Sequence, residues 1–362
     1  MRRLLYFDGL EISVKSEENQ VLDNIGRDFS YFKNRVVINK DVSISITAEK
    51  RTPDYSCIDK PYFFTHLDGK CFGWGDIRYV RYPGALCFFN NKENFGYVVS
   101  ESVVLLHQYV FFMMISKIGE YYDLSGKHRF HAFGIAYKNT GIFFAAPSGG
   151  GKTTLGLGLI QDSNFSFYSE DTPLINQNDR NRIVIHSFPL RLALRLDNSA
   201  LIPSKFTRTI NVPKFGTKKL IDIEYIESQR IEKTPKEVKI VFLLRKGIKR
   251  GKNESLKPVV RRKKKIIFFI YLLNHFVKGV DFPQRMEYLL TLSFYNGILK
   301  LFRIFLSRLK TACHLLGQVE PYVLYMSRNN EKNIEYIKKF VQCVKKIDFK
   351  SARTDCKYIN LQ

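Results

Sequence analysis

The stretch that most constrains this chain is Gly141-Ile-Phe-Phe-Ala-Ala-Pro-Ser-Gly-Gly-Gly-Lys-Thr-Thr154. It reads as a buried strand, a glycine turn and the start of a helix. A phosphate-binding loop is commonly written Gly, four residues, Gly-Lys-Ser/Thr. Here Ala146 stands at the first glycine, and Gly151-Lys152-Thr153 close the pattern. Ile142 to Ala145 supply the feeding strand. Ser148, Gly149, Gly150, Gly151 and Thr154 complete the expected cradle, whose N–H groups point inward at an anion. The following helix adds the positive end of its dipole. Lys152 is expected on the β- and γ-phosphates and the Thr153 hydroxyl on Mg²⁺. The competing reading is an ordinary glycine-rich strand-to-helix turn.

A second chemical feature follows. Phe165 to Tyr168 reads as a strand that runs into Ser169-Glu170-Asp171-Thr172-Pro173-Leu174. Mg²⁺ is held by one or two carboxylates, and a phosphoryl acceptor needs a proton acceptor nearby. Two adjacent carboxylates can divide these jobs. Taken alone, the same residues are a solvated acidic turn stopped by proline.

The rest of the chain sets the frame. Its 362 residues allow one large domain or two smaller ones. The residues are 45% hydrophobic, enough for a substantial core and against a disordered chain. A net charge of +24 favours acidic partners, but a chain rich in Lys, Ile, Asn, Phe and Tyr together also fits biased base composition. The basic run Lys246 to Lys265 is expected as an exposed loop, either a solubilising charge run or a dock for an acidic partner. Cys57, Cys71, Cys87, Cys313, Cys343 and Cys356 are scattered, with no Cys-x-x-Cys pair, and fit free thiols in a reducing, cytoplasmic setting. The apolar stretches Ser102–Ile115 and Ile266–Val277 fall short of the ~20 residues of a bilayer helix and read as buried helices, so no transmembrane segment is expected.

Strands are expected at Val36–Ile38, Val42–Ile46, Tyr97–Val99, Phe130–Tyr137 and Ile240–Leu244, with a turn at Lys138–Gly141. Ile183 to Leu196 alternates as one strand, placing Arg191 and Arg195 on one face, where they would meet phosphate or solvent. Helices are expected at Val103–Ile118, Ile298–Leu309 and Asn333–Val344, and a strand at Val319–Met326. The fold class is α/β, with a P-loop nucleotide-binding core and a mixed sheet flanked by helices. An α+β region over 1–125 precedes a core over 126–348, and a polar tail covers 349–362.

Residues 126–345 resemble the HPr kinase-related P-loop kinases, which share their core with phosphoenolpyruvate carboxykinase. The likeness lies in an ordered set: His131-Ala132, then Pro147 to Leu155, then Ser169 to Leu174, then Phe188-Pro189-Leu190-Arg191-Leu192 and Val323-Leu324-Tyr325. The resemblance implies an ATP-dependent kinase acting on a serine-type hydroxyl of a peptide, small protein or small metabolite. It implies Lys152 and the loop amides on the phosphates, Thr153 and Asp171 on Mg²⁺, Glu170 as proton acceptor and His131 beside that carboxylate. The family usually carries Asp where this chain has Glu170. It also carries a glycine-rich, Asn-containing segment that this chain lacks, which argues against HPr as substrate. A nucleotide-binding module with weakened catalysis is the alternative. No motif specifies nucleic acid, and a homo-oligomer is compatible with the sequence.

Overall fold

Hydrophobic alternation with turn residues between the runs builds the strands. The computed structural model describes residues 1–33, 41–56, 62–66, 69–147, 149–194, 202–212, 216–227, 230–247, 257–277 and 294–346. The expected strand at Val36–Ile38, residues Ser148 and Arg195, residues 248–256 of the basic run and the tail lie outside them; the rest of that run is not the expected loop throughout, because Val259–Arg262 forms a strand and a helix starts at Lys265. The architecture is mixed α/β. The chain divides into two units that interleave: residues 1–129, 189–228 and 277–310 form the first, and 130–188, 229–276 and 311–362 the second.

The first unit holds an eight-stranded mixed sheet. Its strands are β1 (Arg2–Phe7), β2 (Leu10–Ser16), β3 (Val42–Lys50), β4 (Tyr62–His66), β5 (Gly69–Trp74), β6 (Ile77–Tyr82), β7 (Ala85–Asn90) and β8 (Phe95–Ser100), in the order β1-β2-β3-β8-β7-β6-β5-β4. β2, β3 and β8 run parallel; the other neighbours are antiparallel. Helix α1 (Asn19–Asp28) connects β2 to β3, and helix α2 (Val103–Leu124) follows β8 and leads to the two-residue strand β9 (His128–Arg129). The Ser102 side chain caps α2 by accepting from Leu105 N at 3.4 Å.

α2 corrects the sequence reading in one respect. At 22 residues it has the length and apolarity of a membrane-crossing helix, although 67% of its apolar window is buried inside the protein. The apolar pattern is broken by His107, Gln108, Lys117, Glu120 and Asp123, which hid its true length. Those polar residues are buried, and each has a partner. Lys117 Nζ, for instance, donates to Glu120 Oε2 at 3.0 Å and Asn91 Oδ1 at 2.9 Å.

The same unit contains a buried ionic cluster. Asp28, fully buried, accepts from His107 Nε2 at 2.7 Å, Arg191 Nη1 at 2.8 Å and Arg208 Nη2 at 2.6 Å. Arg208 Nε also reaches Asp222 Oδ1 at 2.8 Å, and Arg27 Nε reaches Asp222 Oδ2 at 2.9 Å. Burial alone would push the Asp28 carboxyl up; Arg191, His107 and Arg208 outweigh it and hold the group well below the usual carboxylate range. Arg191 therefore neutralises a buried carboxylate and covers the Phe111 ring at 3.7 Å, rather than lining a strand face for phosphate. The expected single strand over Ile183–Leu196 is two. A break at Ser187–Arg191, which contains Pro189, separates β14 (Ile183–His186) of the second unit from β15 (Leu192–Leu194) of the first. β15 joins β16 (Thr207–Val212) and β17 (Gly216–Ile221) in the order β15-β17-β16, followed by α4 (Ile223–Glu227).

The second unit is built on a buried strand pair. β10 (Phe133–Tyr137) and β11 (Thr140–Ala145) form a hairpin whose two-residue turn places Lys138 at φ 54°. β11 runs parallel to β18 (Lys236–Lys246), and β18 parallel to β20 (Glu320–Met326). β12 (Phe165–Ser169) borders β10, and β19 (Val259–Arg262) borders β20. β13 (Leu174–Gln177) pairs with β14, which meets the start of β18. Helix α3 (Lys152–Ile160) follows β11, and α5 (Lys265–Leu272) follows β19. α5 buries Phe268 and Leu272 but leaves Ile266, Ile267 and Ile270 exposed, so it is only half the buried helix that its composition suggests. A long helix α6 (Phe294–Gln318) passes from one unit to the other in sequence, and α7 (Asn330–Lys346) ends the described chain. Four cysteines are described, all free: Cys71 and Cys87 are buried, Cys343 is half-buried and Cys313 is exposed.

Candidate functional site: the glycine turn and the carboxylate pair

β11 is buried along its whole length and ends where the glycine turn begins. Gly149 at φ 74° and Gly151 at φ 87° give the turn two left-handed positions that other residues rarely adopt. Gly150 N donates to Pro147 O at 2.9 Å, closing the turn. Gly151 precedes α3, and no side chain caps the helix. The first-turn amides of a helix have no partner within it, so the start of α3 presents donors toward the turn.

α3 is fitted closely into this unit through its small residues. A Cβ on Gly156 would meet the Phe133 ring at 2.2 Å, and one on Gly158 would meet Ile334 of α7 at 2.1 Å. Asn330 Nδ2 donates to Thr154 O at 3.3 Å, which ties the start of α7 to α3. These glycines lower helix propensity but permit the packing that fixes where Lys152 emerges.

Lys152 is buried despite its charge. Its Nζ donates to Ala146 O at 2.9 Å and to His131 Nε2 at 2.9 Å. It also lies 3.3 Å from Asp171 Oδ1. Accepting from an ammonium requires a lone pair on Nε2, so His131 in this arrangement is neutral with its proton on Nδ1. His131 Nε2 is 3.7 Å from the same Asp171 oxygen. Thr153 Oγ1, one residue on, donates to Glu170 Oε1.

The carboxylate pair sits at the end of β12, where the chain turns sharply. Ser169, fully buried, donates from Oγ to Phe188 O at 2.6 Å and fixes the strand end. Thr172 N donates to Glu170 O at 2.6 Å, and Asp171 occupies the left-handed region at φ 57°. Aspartate tolerates that conformation better than most residues. The two side chains consequently diverge: Glu170 is buried, whereas Asp171 is half exposed.

The structure thus brings His131, Lys152, Thr153, Glu170 and Asp171 together beside Gly149–Gly151. Ser148 lies outside the described residues. Ala146, which stands at the first glycine of the pattern, anchors Lys152 through its carbonyl; a residue that local pattern could not single out is Met326 on β20, whose Cε lies 3.0 Å from the place a Cβ would take on Gly151. Among the described residues, no group of three or more His, Cys, Asp or Glu side chains could hold a metal by itself.

No family model matches the chain, and no curated protein matches it. Among solved structures it is similar to the HPr(Ser) kinase/phosphatase from Coxiella burnetii, at 19% identity and a TM-score of 0.23, covering 38% of this chain and 72% of that one. A score that low lends no weight to any assignment of chemistry.

Proposed function

We propose that the second unit is an ATP-dependent phosphotransferase that moves the γ-phosphoryl group to a serine-type hydroxyl of a peptide, small protein or small metabolite. The observation that carries the reading is the convergence of a buried lysine, a histidine, a hydroxyl and two carboxylates on one glycine turn. Lys152 supplies the positive charge for the β- and γ-phosphate oxygens, and the loop and first-turn amides supply donors. Such a site works by placing charge where the transferring group develops it.

Mg²⁺ takes oxygen ligands and usually only one or two carboxylates, the remainder coming from phosphate and water. Thr153 Oγ1 and the Glu170 carboxylate, already in contact, fit that role. The ion would neutralise phosphate charge. Asp171, beside His131 and Lys152, would then take the hydroxyl proton as the acceptor oxygen bonds to the γ-phosphorus and the bond to the β-phosphate oxygen breaks. This division exchanges the two carboxylates relative to the family resemblance. Its support is the Thr153–Glu170 hydrogen bond and the 3.7 Å approach of His131 to Asp171. A second reading, nucleotide binding without turnover, draws on the engagement of Lys152 by Asp171 and His131.

ATP binding and turnover with Mg²⁺ test both. Lys152→Ala should weaken binding at least tenfold. Asp171→Asn should bind ATP and lose turnover by about 10²–10⁴, while Glu170→Gln should blunt the Mg²⁺ dependence of binding. Turnover by the unmodified protein removes the second reading, and absence of ATP binding removes both.

A further inference from the structure

The first unit carries a constellation that the glycine-turn site does not use. Asp123 lies in the last turn of α2, His128 four residues beyond that helix, and Ser307 on α6. His128 Nδ1 is 2.8 Å from Asp123 Oδ1, and His128 Nε2 is 2.8 Å from Ser307 Oγ. Asp123 and His128 are almost completely buried. Arg308 binds both oxygens of Asp123 through Nε and Nη2.

These contacts set the direction of the Asp123–His128 hydrogen bond. Burial alone would raise the Asp123 carboxyl, but Arg308, His128 and Arg129 outweigh it, and the group stays ionised far below the usual carboxylate range. An ionised carboxylate can only accept, so the Nδ1–H of His128 donates to it. In the neutral form of the imidazole, that leaves the Nε2 lone pair facing the Ser307 hydroxyl. A nucleophile in contact with a base that a third group orients is the arrangement of activated serines.

Two observations separate this from a network that only pins helices together. Ser307 opens onto a cavity of about 310 Å³ that Ser125, Gly126, Arg303 and Ile304 also line. Arg303 stands four residues before Ser307, on the same helix face, and makes no ion pair among the described residues. A nucleophilic hydroxyl and a cation thus share one small cavity.

We propose that Ser307, His128 and Asp123 form a serine-based acyl-transfer site for small esters that carry a negative charge. Ser307 Oγ would bond to the ester carbonyl carbon as its proton passes to His128 Nε2. The carbonyl oxygen gains charge, which Arg303 meets; the neighbouring amides of Ser125 and Gly126 are already bonded to Tyr121 O and Asp123 O. The bond to the leaving alcohol oxygen then breaks as that oxygen takes the proton from His128. Water next attacks the acyl carbon, giving its proton to Nε2. Ser307 departs with that proton and the acid is released, so that ester and water become acid and alcohol.

The test uses the full chain and a fluorophosphonate probe, with the adduct located by peptide mass spectrometry. The expected result is a stoichiometric adduct on Ser307, absent in Ser307→Ala and at least 100-fold slower in His128→Gln. With nitrophenyl esters, the full chain should prefer the hemisuccinate to the acetate, and Arg303→Gln should reduce that preference at least tenfold. No adduct on Ser307 in the unmodified protein overturns the proposal. That criterion uses the unmodified chain and stands even if the histidine variant fails to fold.

Discussion

Gly119 lies in the interior of α2, where alanine would ordinarily be the better helix former by about 0.8–1 kcal/mol. Here the surroundings reverse that sign. A Cβ at this position would lie 1.7 Å from Nη2, 2.0 Å from Cζ and 2.4 Å from Nη1 of Arg129. Ordinary contact needs about 3.5 Å, so the guanidinium would have to retreat by roughly 1.5–2 Å. Arg129 is 1% exposed, and its Nη1 donates to Ile115 O at 3.1 Å. Overpacking costs about 1–3 kcal/mol, and losing a hydrogen bond from a charged group about 1.5–3 kcal/mol more. Set against the propensity gain, Gly119→Ala should destabilise the first unit by about 2–5 kcal/mol. Urea titration followed by tryptophan fluorescence measures it, because the single tryptophan, Trp74, lies in β5 of the same unit. Gly317→Ala is the contrast: that glycine is also helical, nothing lies within 4 Å of its added Cβ, and circular dichroism should show unchanged or slightly raised stability. An urea midpoint for Gly119→Ala equal to or above the parent's would refute the reasoning.

Two further outcomes follow from burial. Asp28 and Asp123 have folded-state pKa values depressed below their unfolded ones, so their stabilisation is complete above the ordinary carboxylate range and is lost as pH falls; the unfolding midpoint should hold from pH 7 to 5 and drop below about pH 4, and greater stability at pH 3 than at pH 6 would contradict this. Burial pushes the Cys71 thiol up to about 11 and the Cys87 thiol higher still, so native alkylation mapped peptide by peptide should modify exposed Cys313 well before either; equal rates would show that the sheet of the first unit opens easily.

What could be read from the sequence was what neighbouring residues determine together. The feeding strand, the glycine turn, Lys152-Thr153 and the Glu170-Asp171 pair all lie within one short span. Their pattern depends on local backbone rules, and the structure places them together as that pattern implies. The strand at Val42–Ile46 and the one at Ile240–Leu244 were legible for the same reason: alternation or a continuous apolar run is a local signal. The Asp28 cluster was not, because its members at positions 28, 107, 191 and 208 meet only through tertiary packing. Arg191 was misplaced because the alternation over Ile183–Leu196 continues across a proline that breaks the strand. Asp123, His128 and Ser307 carry no spacing signal, since the serine lies on a helix 179 residues from the histidine. The boundaries read at 125 and 348 follow chain order, which interleaved units do not obey.

That interleaving bears on how the protein can be made. Each unit takes three separate passages of the chain. During synthesis, β18 emerges with β11 already present to pair with it, but its other parallel neighbour, β20, is translated only after the passage 277–310 that completes the first unit. Until then β18 carries an unsatisfied, strongly apolar edge, the kind of surface that invites pairing with another chain. Neither unit can finish folding as the ribosome passes its first segment. Cutting the gene at 125 would therefore leave an N-terminal fragment without the passages 189–228 and 277–310 that belong to its unit, and the nascent chain is a natural client for chaperones until its late segments arrive.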